Sequence, residues 1–156
     1  METAGVWIRS LMQERGVPYQ EVHHNPAFTA QEVAHKEHVR GAQVAKVVVV
    51  VADEHPIQLV LPAHRSVDLD GVRFALGVKS VRLASEDEMR ALFPDCEVGA
   101  EPPLRHWKGV ELWMDASLRS SEEILFQAGT HRDGIRMRFA DWFKLAQPMV
   151  AYFAAS

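Results

Sequence analysis

The run Ala45-Lys46-Val47-Val48-Val49-Val50-Val51-Ala52 constrains the fold more than any other part of the chain. Valine is stiff at χ1 and fits a pleated surface better than a helix. Five in a row leave no polar alternation, so the run predicts a strand covered on both faces. A single cation, Lys46, opens it. Burying an ammonium is costly unless something uses the charge, so Lys46 is a candidate site residue. The alternative is a strand-end lysine whose stem lies on apolar surface while its head reaches water. Ile57-Gln58-Leu59-Val60-Leu61-Pro62 reads as the neighbouring strand of a hairpin, across a turn containing Asp53, Glu54, His55 and Pro56.

Around this hairpin the pattern is mixed. Trp7, Ile8, Leu11 and Met12 share a helical face, and Gly16 with Pro18 closes that helix. Tyr19 to His23 reads as a strand. Thr29-Ala30-Gln31-Glu32 is a capping-box pattern opening a short helix, and Ser85-Glu86-Asp87-Glu88 is a second one. Asp68 to Leu76 is predicted helical and stops at Gly77, Val81 to Leu83 is a short strand, and a loop runs from Cys96 to Lys108. Strands follow at Val110–Met114, Glu123–Ala128 and Ile135–Phe139, then a helix at Ala140–Ala146. The expected class is α+β, with a mixed, mostly antiparallel, partly closed sheet flanked by helices.

Composition narrows the function. With 156 residues, 47% of them apolar, and no repeat or Pro/Gly/Ser linker, one domain over residues 1–156 is expected. No basic-then-apolar leader and no membrane-length apolar window occurs, so a cytoplasmic protein without membrane association is expected. The lone Cys96 excludes an internal disulfide and offers no thiolate metal set. A net charge of −4 argues against coating nucleic acid along its length, but leaves room for a local basic rim from Arg40, Arg105, Lys108 and Arg132. The eight histidines carry no His-Glu-x-x-His pattern; His35 and His38 are three apart, while His23 and His24, adjacent on a strand, face opposite ways. No metal and no cofactor is expected.

Two loops complete the set of candidate features. In Gly99-Ala100-Glu101-Pro102-Pro103 a glycine permits close approach and two prolines stiffen the backbone, which could hold N–H groups toward a carbonyl oxygen, or simply make a surface turn. Ala128-Gly129-Thr130-His131 ends a strand at a glycine followed by a hydroxyl and an imidazole.

Taken in order, the Ala45-Lys46 opening, the Gly-x-x-x-Pro loop at Gly99–Pro103, and Ala128-Gly129-Thr130-His131 followed by Ile135-Arg136-Met137 resemble the YbaK/prolyl-tRNA-synthetase-associated domain family. The resemblance runs from the Tyr19–His23 strand and the Thr29 helix start to Phe139-Ala140-Asp141-Trp142. It implies an editing hydrolase that removes alanine or cysteine from wrongly charged tRNA(Pro), acting on the acceptor end and working beside prolyl-tRNA synthetase. By the same resemblance Lys46, Gly99 and His131 are the expected catalytic group, with Ala100, Pro103, Thr130, Tyr19 and Thr29 binding the aminoacyl end. Arg136 stands where some cysteine-clearing members carry an acidic residue, which favours alanine. An aminoacyl ester is already activated, so positioned water and a stabilised oxyanion suffice, and no Gly-x-Ser-x-Gly elbow is present. On this reading Lys46 contacts the ribose or ester oxygens, and the Gly99 and Ala100 amides receive the carbonyl. A non-catalytic module for a tRNA end or nucleotide, and a hydrolase for a small ester, remain the competing readings.

Overall fold

The computed structural model describes residues 3–23 and 44–156. The capping-box segment with Thr29, together with His24, His35, His38 and Arg40, lies outside them.

Helix α1 (Ala4–Arg15) buries Ala4, Ile8 and Met12, spaced four apart on one stripe, and ends where Gly16 turns left-handed at φ 63°. After β1 (Gln20–His23) comes the hairpin of β2 (Ala45–Ala52) and β3 (His55–Pro62), joined by Asp53 and Glu54 alone, both at positive φ. Such a two-residue turn matches the twist of the strands it joins. The Asp53 carboxylate accepts from the Lys79 and Ser80 N–H groups, which tethers the tip. Next come β4 (Ser66–Val67), α2 (Leu69–Leu76, capped by Asp68 and ended by Gly77), β5 (Val81–Leu83) and α3 (Glu86–Leu92, with its Ser85–Glu88 capping box formed). The chain closes with β6 (Glu111–Asp115), a 3-10 turn, β7 (Glu123–Gln127), β8 (Asp133–Arg138), α4 (Phe139–Ala146), β9 (Met149–Ala151) and β10 (Ala154–Ala155).

The fold is α+β. A mixed sheet runs β5-β2-β3-β6-β9, an antiparallel one runs β1-β8-β7, and β4 pairs with β10. A parallel bridge from Val44 to Leu125 joins the first two at the start of β2, so the structure is partly closed like a barrel. Inside the closure Ile8, Met12, Val60, Leu112, Met114, Ile124, Phe126, Ile135, Met137 and Trp142 form one core. On the other face of the large sheet Val50, Leu59, Leu61, Val72 and Phe153 form a second.

One expectation needs correction. The valine strand is fully buried from Val49 to Ala52, whereas Lys46, Val47 and Val48 are only half-buried. Among the described residues the far half pairs with β5 as well as β3, whereas the near half pairs with β3 and meets β7 at the Val44–Leu125 bridge.

The C-terminal strands were not legible from the sequence, and one carboxylate explains how they are held. Asp115, 2% exposed, accepts from the Phe153 N–H at 2.8 Å, the Ala154 N–H at 2.9 Å, and the Ser117 N–H and hydroxyl. Burial pushes its carboxyl up, but those four donors more than offset burial and hold it below the usual carboxylate range. A depressed carboxylate contributes stability above its unfolded pKa, and that contribution is lost as pH falls through the folded value. Asp115→Asn should therefore cost about 2–3 kcal/mol at neutral pH and much less in acid. Urea titrations at neutral pH and near pH 3 check this; an equal loss at both would refute it.

Candidate functional site

The loop from Cys96 to Leu104 is laced to the β7–β8 turn. The Glu97 N–H donates to the Gly129 carbonyl and the Gly129 N–H donates to the Ala100 carbonyl, both at 2.8 Å. Glu101 through Leu104 are buried. Two of those four are prolines, which removes two N–H groups that burial would otherwise strand. Their carbonyls are anchored, Pro102 by Gln58 Nε2 at 3.0 Å and Pro103 by Trp142 Nε1 at 2.9 Å. Pro103 thus fixes the loop rather than facing solvent.

His131 sits on the other side of this lacing. Its N–H donates to Glu97 Oε1 at 2.9 Å, and its ring Nε2 lies 2.8 Å from the Val98 carbonyl. A carbonyl only accepts, so Nε2 carries the hydrogen and the neutral ring offers Nδ1 as an acceptor. Gly99, exposed and at φ 86°, lies against this ring: a Cβ there would stand 3.5 Å from His131 Cε1. Thr130 organises the turn, donating its hydroxyl to Asp133 at 2.6 Å and accepting from the Arg132 and Asp133 N–H groups. Gly99, Ala100, Thr130 and His131 are therefore brought together.

Lys46 arrives from a neighbouring strand. Two residues beyond the Val44–Leu125 bridge are Lys46 on one strand and Gln127 on the other, and β7 then leads into Gly129, Thr130 and His131. Side chains alternate, so Lys46 shares the face of Val44. By register that face continues through Leu125, Arg136 and Gln20. Val22, Val44 and Leu125 on it are buried. Among the described residues no hydrogen bond or ion pair engages Lys46, and burial lowers its pKa. Its neighbours Ala45 and Val47 point the other way, into the core cluster that also holds Leu104 and Ala128.

Two assignments change. The Gly99 N–H donates to Glu101 Oε2 at 2.9 Å and the Ala100 N–H donates to the Glu97 carbonyl at 3.0 Å, so neither amide is free to receive an ester carbonyl. For Gly99 the cause is the Glu101 side chain, which folds back onto its own loop, and for Ala100 it is the backbone turn from Glu97. Tyr19 is partly buried against the main core. Arg105, Lys108 and Arg132 are all exposed, and the Arg105 guanidinium is held by the Ala146 and Gln147 carbonyls. Arg136 forms a two-pronged ion pair with Glu123, both contacts at 3.1 Å. Among the described residues no group of three or more His, Cys, Asp or Glu is placed to hold a metal.

Glu101 itself is the residue that sequence reasoning passed over. It is 2% exposed, and its Oε1 has no partner. Burial raises its pKa, opposed by the loop amides and by nearby His131. A carboxyl set between Ala100 and two prolines inside an apolar loop was the available signal.

The model of the aminoacyl-tRNA editing domain family matches residues 24–145, most of the chain. The chain belongs to that family. Solved structures agree on the fold of this editing domain. One, provisionally described as a trans-editing enzyme for prolyl-tRNA synthetase, superposes with a TM-score of 0.85 at 21% identity, covering 100% of this chain and 99% of that one. A protein described as hypothetical gives 0.84 at 20% identity over 95% and 99%, and a scaffold used in computational epitope grafting gives 0.85 at 19% over the full length of both. At those identities the likeness is one of fold. No curated protein matches the sequence.

In this editing domain burial, with Asp95 and Glu101 nearby, pushes the Cys96 thiol far above the usual range, which disfavours the thiolate that a nucleophile needs. No helix of the described residues is long and apolar enough to cross a membrane.

Proposed function

We propose that this chain is a trans-acting deacylase that hydrolyses the ester of mischarged tRNA(Pro), with alanine the first expected substrate and cysteine the next. The observation that carries this reading is His131, fixed as the Nε2–H tautomer by Val98 and held beside exposed Gly99. Its free Nδ1 accepts a proton from water as that water attacks the ester carbonyl. The C–O bond then breaks, and the proton passes to the departing ribose hydroxyl, leaving the free amino acid and intact tRNA.

Lys46 supplies the positive charge. In this reading its ammonium contacts the ribose or ester oxygens and offsets the negative charge that develops on them, a role in keeping with a cation engaged by none of the described residues. An apolar pocket discriminates one methylene by only about 1–3 kcal/mol, so the sieve works by admitting what fits and excluding proline-sized groups. The protein is expected to act in the cytoplasm beside prolyl-tRNA synthetase.

The test is hydrolysis of Ala-, Cys- and Ser-charged tRNA(Pro) by the purified chain. Turnover of the alanyl ester well above the other two is expected. Stoichiometric binding of tRNA without turnover of any ester would instead favour a binding module.

A further inference from the structure

Glu101 is an anomaly that the mechanism above does not use. Its carboxyl is 2% exposed, no ion pair with a described lysine or arginine neutralises it, and one oxygen has no hydrogen-bond partner. A buried, unpaired carboxyl is costly, and an unsatisfied polar atom in a folded protein calls for an explanation. The Gly99 N–H accounts for one carboxyl oxygen and leaves the other, Oε1, unexplained.

Its position suggests the use. Oε2 is held by the Gly99 N–H at 2.9 Å, and Gly99 is exposed and has no side chain. One oxygen of the carboxyl is therefore linked directly to an exposed glycine backbone. A cation seated on Gly99 would come within the roughly 4–6 Å over which an opposite charge is felt strongly. His131 is the described titratable ring facing the same carboxyl, and its Nε2–H is already given to Val98, so the ring does not satisfy the free oxygen.

We propose that Glu101 recognises the protonated α-amino group of the substrate, restricting this domain to esters of amino acids whose amine is free and charged. The inference rests on the deacylase reading. It explains why the loop keeps a carboxylate beneath its most open residue, and it leaves Lys46 and His131 to the ester itself. N-acylated and α-hydroxy esters present no cation to Glu101 and are poor substrates for that reason.

The experiment compares alanyl-tRNA(Pro) with lactyl-tRNA(Pro), in which a hydroxyl of similar size replaces the ammonium. Each rate is divided by that ester's uncatalysed hydrolysis. The wild-type chain is expected to prefer the alanyl ester by at least about tenfold in kcat/KM. Glu101→Gln keeps an acceptor for the Gly99 N–H but carries no charge; it should lose most of that preference by slowing only the alanyl ester. A purely structural role would lower both rates alike and leave the ratio unchanged, which would overturn the proposal. Equal wild-type rates on the two esters would also overturn it, and that comparison stands even if the variant fails to fold. A wild-type chain inactive on both would overturn the deacylase reading itself.

Discussion

Replacing Lys46 by alanine is expected to lower kcat/KM for the mischarged ester by about 10²–10³-fold while leaving the fold intact, the usual effect of deleting one preorganised group at a developing oxyanion. The two halves of that expectation come from the same geometry. Lys46 is half-buried near the start of β2 and makes no hydrogen bond or ion pair among the described residues. Removing it there breaks no tie within the described part of the fold and strips only some aliphatic stem, worth about 1 kcal/mol or less. Burial lowers its pKa, so the charge it contributes fades at a less alkaline pH than that of an ordinary lysine. The alkaline limb of the wild-type rate profile should move accordingly. Lys46→Arg is not a conservative control, since a planar fork cannot reproduce a compact point charge; partial activity is expected from it. Initial rates on alanyl-tRNA(Pro), taken beside a urea titration of each variant, check the whole argument. Wild-type turnover by Lys46→Ala would remove Lys46 from the mechanism.

How far the sequence reached depends on how local each cause is. The β2–β3 hairpin, the Asp68 and Ser85 caps and the Gly16 and Gly77 stops were legible because propensity and capping act over a few residues. The Val44–Leu125 bridge spans much of the chain and leaves no local pattern, so the face on which Lys46 lies had to come from the structure. Strands β9 and β10 were missed for a similar reason. They are three and two residues long, and Asp115, far upstream, holds the latter in place. Within the site, the order of Lys46, Gly99 and His131 supported a resemblance, whereas the bonds of Gly129 to Glu97 and Ala100, and of His131 to Glu97 and Val98, had to come from the structure. What the residues could not tell was that Glu101 would take the Gly99 amide for itself. Side-chain competition for a backbone donor depends on burial, and burial of a glutamate runs against every compositional expectation.

Gly129→Ala is expected to cost about 2–6 kcal/mol, a large part of the 5–15 kcal/mol that holds a typical domain together. Two separate effects add. Gly129 sits at φ 96°, where a non-glycine residue carries about 1–3 kcal/mol of backbone strain. A Cβ at that position would also stand 2.6 Å from the Cβ of Ala4, far inside contact distance, so the first turn of α1 would have to move, at about 1–3 kcal/mol for overpacking. Ala4 is itself 1% exposed and tied through its N–H to the Asp95 carbonyl, which leaves it little room to yield. The two terms separate in a double-mutant cycle. Ala4→Gly removes the clash and leaves the strain, so it should recover the overpacking part in the Gly129→Ala background while destabilising the wild type, a coupling visible in urea midpoints. Strictly additive midpoints would show that the clash relaxes at no cost. Activity should fall further than stability alone requires, because Gly129 gives its N–H to Ala100 and its carbonyl to Glu97, the residue that orients His131. Any shift of the helix against this turn is passed directly to the loop carrying Gly99 and to the imidazole beside it.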